Sequence, residues 1–136
     1  MLRDLERICA ELSLPFRRPE PFPQNSLLAA RVALAGAGAA WSEDFCRAVF
    51  WEEFAEGRRI DQPETIGAIL ADLNADAASV LAAAQSDPVK DKLRAETAEA
   101  QRLDVFGAPT FITADGELFW GNDRLEAALV WAKRAQ

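Results

Sequence analysis

An α+β fold is predicted from three features of the 136-residue sequence. Nearly all the β signal is confined to Thr110–Thr113 and Leu118–Trp120. These β-branched and aromatic runs flank Asp115-Gly116, a pair that tolerates the positive φ of a tight hairpin turn. Almost everything before them has helical periodicity, and a last helical pattern follows them. A block of helices followed by a hairpin and one helix segregates the two kinds of structure, which is the α+β pattern.

The first helix is expected over Leu2–Leu12, where Leu2, Leu5, Ile8, Cys9 and Leu12 share a face and Arg3, Asp4, Glu6, Arg7 and Glu11 lie opposite. No capping residue precedes it, so the chain reads as opening inside a longer sequence, a truncated start. Pro15, Pro19 and Pro21 then permit only an extended path or an edge strand over Pro15–Phe22. Asn25-Ser26 supplies a cap for an alanine-rich helix over Leu27–Ala40, weakened in its second half by Gly36 and Gly38. Ser42, with Glu43 and Asp44 behind it, starts a helix that turns Phe45, Val49, Phe50 and Phe54 inward and stops at Gly57. Arg58 and Arg59 read as a solvated turn or as anion contacts.

Asp61-Gln62-Pro63 begins a helix with Ile66, Ile69, Leu70 and Leu73 on one face, ending near Asn74. Asp76 caps a short helix to about Gln85, and Asp87-Pro88 starts a wet-faced helix to about Leu103. After the hairpin, a helix from Asn122 or Asp123 to about Arg134 is expected to bury Leu125, Ala128, Leu129 and Trp131. The domain expectation is one domain over residues 1–136, with a helical block at about 25–103 and a ββα unit at about 105–134.

Charge and composition exclude several functions. Twenty-two acidic against fifteen basic residues leave a net charge of -7, which repels nucleic acid and anionic membranes at long range. Cys9 and Cys46 match no C-x-x-C spacing, and the chain has no histidine to complete a metal site or a Cys/His dyad. Metal ligands are therefore expected to be absent, and a disulfide oxidoreductase is disfavoured. No apolar run reaches the length of a membrane span and the start is too charged for a signal peptide, so a cytoplasmic location is expected.

Two loops draw attention as chemistry. Gly107 lets another backbone approach, and Pro109 directs Ala108 towards extended geometry. Asn122-Asp123-Arg124 opens a helix, where free N–H groups, a carboxylate and a guanidinium together can hold an amino-acid head group. Simple capping by Asn122, with Asp123 complementing the helix dipole, accounts for the same residues. Trp41, Trp51, Phe106, Phe119 and Trp120 could shape an aromatic pocket, but large aromatics are more often core. None is assigned a role.

Gly107-Ala108-Pro109-Thr110 ahead of the hairpin and Gly121-Asn122-Asp123-Arg124 behind it resemble the 2-hydroxychromene-2-carboxylate isomerases. These are relatives of the kappa-class glutathione transferases among DsbA-like proteins of thioredoxin fold. The likeness extends through Pro19–Arg31 and Phe54–Ile60. It implies a thioredoxin-like, DsbA-type fold with a large helical insertion, here N-terminally incomplete and lacking the first strand. It also implies a glutathione-dependent isomerase of aromatic degradation, with an aromatic substrate and glutathione as partners and a homodimer left open.

In such proteins Pro109 would be cis, Ala108 would hold the cysteinyl part of glutathione through its main chain, and Asp123 and Arg124 would contact the glutamyl group. The glutathione-binding set implied is thus Ala108, Pro109, Asp123 and Arg124. The family's catalytic serine follows a first strand. Ser13, Ser26, Ser42, Ser79 and Ser86 sit at helix ends or within helices, so the catalytic role passes to no residue. The alternatives are a kappa-type glutathione transferase and a non-catalytic α+β module that binds a partner or itself through an exposed sheet edge.

Overall fold

A computed structural model describes residues 2–134. In order it holds helices α1 (Leu2–Glu11), α2 (Leu27–Ala35), α3 (Ser42–Trp51, continued by a π turn over Glu52–Glu56), α4 (Pro63–Asp72), α5 (Ala77–Ala84) and α6 (Asp87–Arg102). Strands β1 (Thr110–Ile112) and β2 (Leu118–Trp120), a 3-10 turn (Asn122–Arg124) and helix α7 (Leu125–Arg134) follow. The α+β class is as expected. The chain forms two compact units, residues 1–94 and 95–136, divided within α6.

The core of the first unit comes from α2, α3, α4 and α5, and the loop before α4 adds Ile60. Val32, Phe45, Ile60, Ile66 and Leu70 are fully or almost fully buried within one cluster. Each such side chain contributes roughly 1.5–3 kcal/mol through removal of apolar surface from water. The local signals place the helix ends. Pro63 stands in the first turn of α4, and Asp76 caps α5 by accepting from the Ser79 N–H at 3.2 Å. The backbone reverses through Gly57 at φ 70.

Several expectations are corrected. Helix α2 stops at Ala35, not Ala40: Gly36 is its C-cap and Gly38, two residues on, takes φ 85, outside the helical region, while the Trp41 ring fills the side-chain space at Gly36, where a Cβ would lie 2.1 Å from Cη2. The Ser42 hydroxyl does not cap α3; Ser42 is its first residue, and its N–H bonds the Ala39 carbonyl instead. Phe50, expected inside, is 65% exposed. It packs along the helix surface on Phe54, with ring centroids 6.3 Å apart, and Phe54 in turn stacks on Phe16.

Residues Pro15–Phe22 are not a strand. Prolines remove the N–H groups a ladder needs, and the segment is tied instead by Arg17, whose N–H donates to the Phe54 carbonyl and whose guanidinium donates to that of Glu56. The Glu20–Pro21 and Phe22–Pro23 bonds are both cis. Arg58 and Arg59 are exposed, as the solvated-turn reading expects, and their guanidinium groups pair with Glu52 and Asp61 of the same chain rather than standing open to an anion.

In the second unit β1 and β2 are antiparallel, with Thr110 opposite Trp120 and Ile112 opposite Leu118. Gly116 takes φ 85 at the turn, as Asp115-Gly116 predicts. Helix α7 lies along this hairpin. Its Trp131 donates from Nε1 to Asp115 Oδ2 at 2.8 Å, and the hydrogen bond from Thr113, with this one second, lowers the Asp115 pKa. Of the residues expected to be buried on α7, only Ala128 is; Leu125, Leu129 and Trp131 stay substantially exposed. Two three-residue strands cover one stripe of a helix and no more.

Candidate functional site

The register of the hairpin builds the site. Because Thr110 pairs with Trp120, the next residues outward are Pro109 and Gly121, and the Gly121 N–H donates to the Pro109 carbonyl at 3.0 Å. The Ala108–Pro109 bond is cis, as the resemblance implies. Thr110 braces this loop from within by donating its hydroxyl to the Gly107 carbonyl at 2.5 Å. Ala108 and Pro109 are both exposed.

Gly121 then turns the chain into the short helix carrying Asp123 and Arg124. Its φ of 117 lies where side chains are strained, and a Cβ there would lie 2.6 Å from Asp123 Oδ1. Glycine therefore does two things: it permits the turn, and it lets the Asp123 carboxylate fold back over the backbone that bonds Pro109. The Arg124 N–H closes the turn on the Gly121 carbonyl at 3.0 Å. Asn122 does not cap this helix through its side chain, so the simpler reading of that residue does not hold.

Asp123 and Arg124 carry opposite charges on largely exposed side chains, 3.9 Å apart at Oδ2 and Nε. At that spacing neither satisfies the other's hydrogen-bonding capacity. One end of the hairpin thus brings together an exposed peptide unit at Ala108–Pro109, a loose carboxylate and a loose guanidinium.

Two of the five aromatics considered for a pocket, Phe106 and Trp120, stand beside this loop. Phe106 is 70% exposed and Trp120 is 53% exposed, so neither is the core residue that size alone suggests. Their rings are 5.2 Å apart, and the Trp120 indole lies over Gly107 so closely that a Cβ there would be 2.4 Å from Nε1. The retrospective signal is Gly107 itself, three residues ahead of the strand that pairs with Trp120. Trp41 does pack on the core, edge-on to Phe45, while Trp51 is half exposed and Phe119 packs near Trp131.

No serine is set up as a nucleophile at a strand end. Ser79 and Ser86 spend their hydroxyls on Asp76 and the Ala83 carbonyl, Ser13 and Ser26 lie just outside α1 and α2, and Ser42 is the first residue of α3. Both cysteines are free, and no cluster among the described residues could hold a metal ion. No helix among the described residues is long and apolar enough to cross a membrane.

Comparison with known proteins agrees with this architecture. Residues 1–129 match the family described as DSBA-like thioredoxin domain. The chain is 29% identical over 126 residues to a 2-hydroxychromene-2-carboxylate isomerase of Sphingobium xenophagum, an alignment covering 93% of this chain and 63% of that protein. A solved 2-hydroxychromene-2-carboxylate isomerase superposes with a TM-score of 0.79 at 27% identity, over 97% of this chain and 64% of the other. The chain therefore spans less than two thirds of the length of these relatives, and it shares their thioredoxin-like fold.

Proposed function

This chain belongs to the DSBA-like thioredoxin domain family, and from that premise we propose that it serves an isomerase of the 2-hydroxychromene-2-carboxylate isomerase type that uses glutathione. The observation that carries the reading is the hairpin register, which sets the exposed Ala108–Pro109 unit beside the turn bearing Asp123 and Arg124. The donor set fits the tripeptide. Its glutamyl end carries one ammonium and one carboxylate, and Asp123 and Arg124 offer the two complementary charges without being closed on each other. Its middle is an extended peptide, which the N–H and C=O of Ala108 can pair as one short β-like rung.

Bound there, glutathione would supply a thiol able to add to and leave an unsaturated aromatic keto acid, so that rotation about the intervening single bond gives the isomer. The residues of this chain orient the tripeptide: Asp123 receives its ammonium, Arg124 its carboxylate, and Ala108 its main chain. No residue of this chain is assigned to activate the thiol.

Titration of the isotopically labelled protein with glutathione tests the reading. Saturable shifts at Ala108, Asp123 and Arg124 are expected. Asp123→Asn and Arg124→Gln should each weaken binding about tenfold, the scale of one charge-assisted hydrogen bond. Binding with no effect of either substitution, or no binding, would refute the site.

A non-catalytic module that associates through its surface is favoured by one separate observation. Helix α7 leaves Leu125, Leu129 and Val130 between two fifths and just over half exposed. Sedimentation equilibrium distinguishes the two readings: a tight dimer indifferent to glutathione supports the module, and a monomer that binds glutathione supports the isomerase.

A further inference from the structure

The helical unit contains a second feature that the isomerase reading does not use. Between the loop before α2, the helices α2 and α3, and Ile60 lies a cavity of about 400 Å³, within the range of small-molecule sites. Its wall is almost entirely apolar, with Ala29, Ala33, Phe45 and Val49 among the lining side chains. Gln24 also lines it but is committed to the scaffold: its amide N–H donates to the Arg58 carbonyl at 3.3 Å and its carbonyl oxygen accepts the Ile60 N–H at 2.8 Å.

Glu53 is different. It is the one charged residue lining the cavity, only 8% exposed, and its carboxyl has neither a hydrogen bond nor an ion pair. Lone carboxyls are seldom retained in apolar surroundings, because burial without a partner is costly. The π turn over Glu52–Glu56 brings it there: the turn that keeps Glu52 on Arg58 sets the next residue against the apolar wall.

We infer that this cavity is a binding site for a small, flat apolar molecule carrying one N–H or O–H donor, which the Glu53 carboxyl accepts while Ala29, Ala33, Phe45 and Val49 enclose the apolar body. A carboxyl able to accept, with no hydrogen bond from its own chain among the described residues, discriminates by what it lacks. A ligand without a donor covers the carboxyl and leaves it unpaired, whereas a matched donor satisfies it. The small alanines at 29 and 33 set the space available for a ring.

The probe pair is indole and 1-methylindole, alike in size and differing in the single N–H. Ligand-observed NMR and heteronuclear spectra of the full chain should show saturable indole binding, with shifts at Ala29, Ala33 and Val49 and an affinity about tenfold above that of 1-methylindole. Glu53→Leu should abolish the preference between the two, and Ala33→Phe should abolish binding of both by filling the space. Circular dichroism melts of both variants confirm that they are folded. Equal affinity of the wild-type chain for the two probes, a preference that survives Glu53→Leu, shifts confined to other residues, or no binding would each overturn the inference. Glutathione titration is a separate readout at residues of the hairpin, so either site can fail alone.

Discussion

Replacing Gly107 by alanine is the sharpest test of how the aromatic pair shapes the candidate site. The new Cβ would lie 2.4 Å from Trp120 Nε1 and 3.1 Å from its Cδ1 and Cε2, against a comfortable separation of about 3.5–4.0 Å. The indole must withdraw by about 1 Å or swing away. In a sealed core such overpacking costs about 1–3 kcal/mol. Trp120 is about half exposed, so it can yield towards solvent, and the cost falls towards the loss of its contact with Phe106, about 0.5–1.5 kcal/mol. A destabilisation near 1 kcal/mol is therefore expected, with a displaced indole N–H resonance for Trp120. In a Trp120→Ala background the obstacle is gone. There Gly107→Ala should be neutral, or stabilising by up to about 1 kcal/mol through the less flexible unfolded chain. Urea unfolding of the four proteins in a double-mutant cycle measures this coupling. Equal effects of Gly107→Ala in both backgrounds, or an unmoved Trp120 resonance, would refute the stacking argument.

Leu70→Ala should cost about 2–5 kcal/mol in chemical unfolding, because the side chain is fully buried where α4 meets its neighbours. Leu129→Ser, on the exposed stripe of α7, should change monomer stability by no more than about 0.5 kcal/mol, and a larger loss would mean that something covers that stripe. Burial raises the Glu53 pKa, so the folded state holds its proton more tightly than the unfolded chain. The native state is therefore favoured at low pH, and that advantage is lost as pH rises from the ordinary carboxylate value through the folded one. Glu53→Gln should accordingly gain stability relative to wild type as pH rises through that window, as pH-dependent melts would show, and a constant difference would contradict it. Asp76 has the opposite sign: bonds from Ser79 lower its pKa, so its contribution is present above the unfolded value and disappears as pH falls through the folded one. Asp76→Asn should flatten that acid limb.

Helix existence was legible wherever apolar spacing coincided with a terminal signal. Ile66, Ile69 and Leu70 followed Pro63, and Asp76 preceded the alanines of α5; both helices formed with these faces inward. The hairpin was legible because Asp115-Gly116 specifies its own turn. What the spacing did not reveal was how much surface was available to cover each face. Phe50, Leu125 and Leu129 have the right periodicity and still remain exposed, because periodicity assigns a face but the neighbour must supply the area. Close approach was equally hidden: the Trp41 ring fills the side-chain space at Gly36 through a contact that no local propensity encodes. In the candidate site the backbone elements were readable from Gly107, Pro109 and Gly121, whereas the exposure of Phe106 and Trp120 depends on cross-strand register, which the residue types alone do not specify.

The two sites differ in how they are held, and that difference bears on what each can bind. At the hairpin end the polar groups are on the surface: Asp123 and Arg124 are exposed enough to meet a charged peptide, while rigidity comes from the backbone bond between Gly121 and Pro109 and from the glycine conformation at 121. Water competes for every contact there, so selectivity must come from matching several groups at once. In the helical unit the one charged residue is largely buried, and rigidity comes from packed side chains and from Gln24, which clamps the wall through two backbone partners. Selectivity there rests on one hydrogen bond in an apolar surrounding, where leaving it unmade is expensive. A charged, flexible ligand suits the first arrangement and a compact, nearly neutral one the second. Glutathione should therefore fail to compete with indole at Glu53, and indole should leave the resonances of Asp123 and Arg124 unmoved.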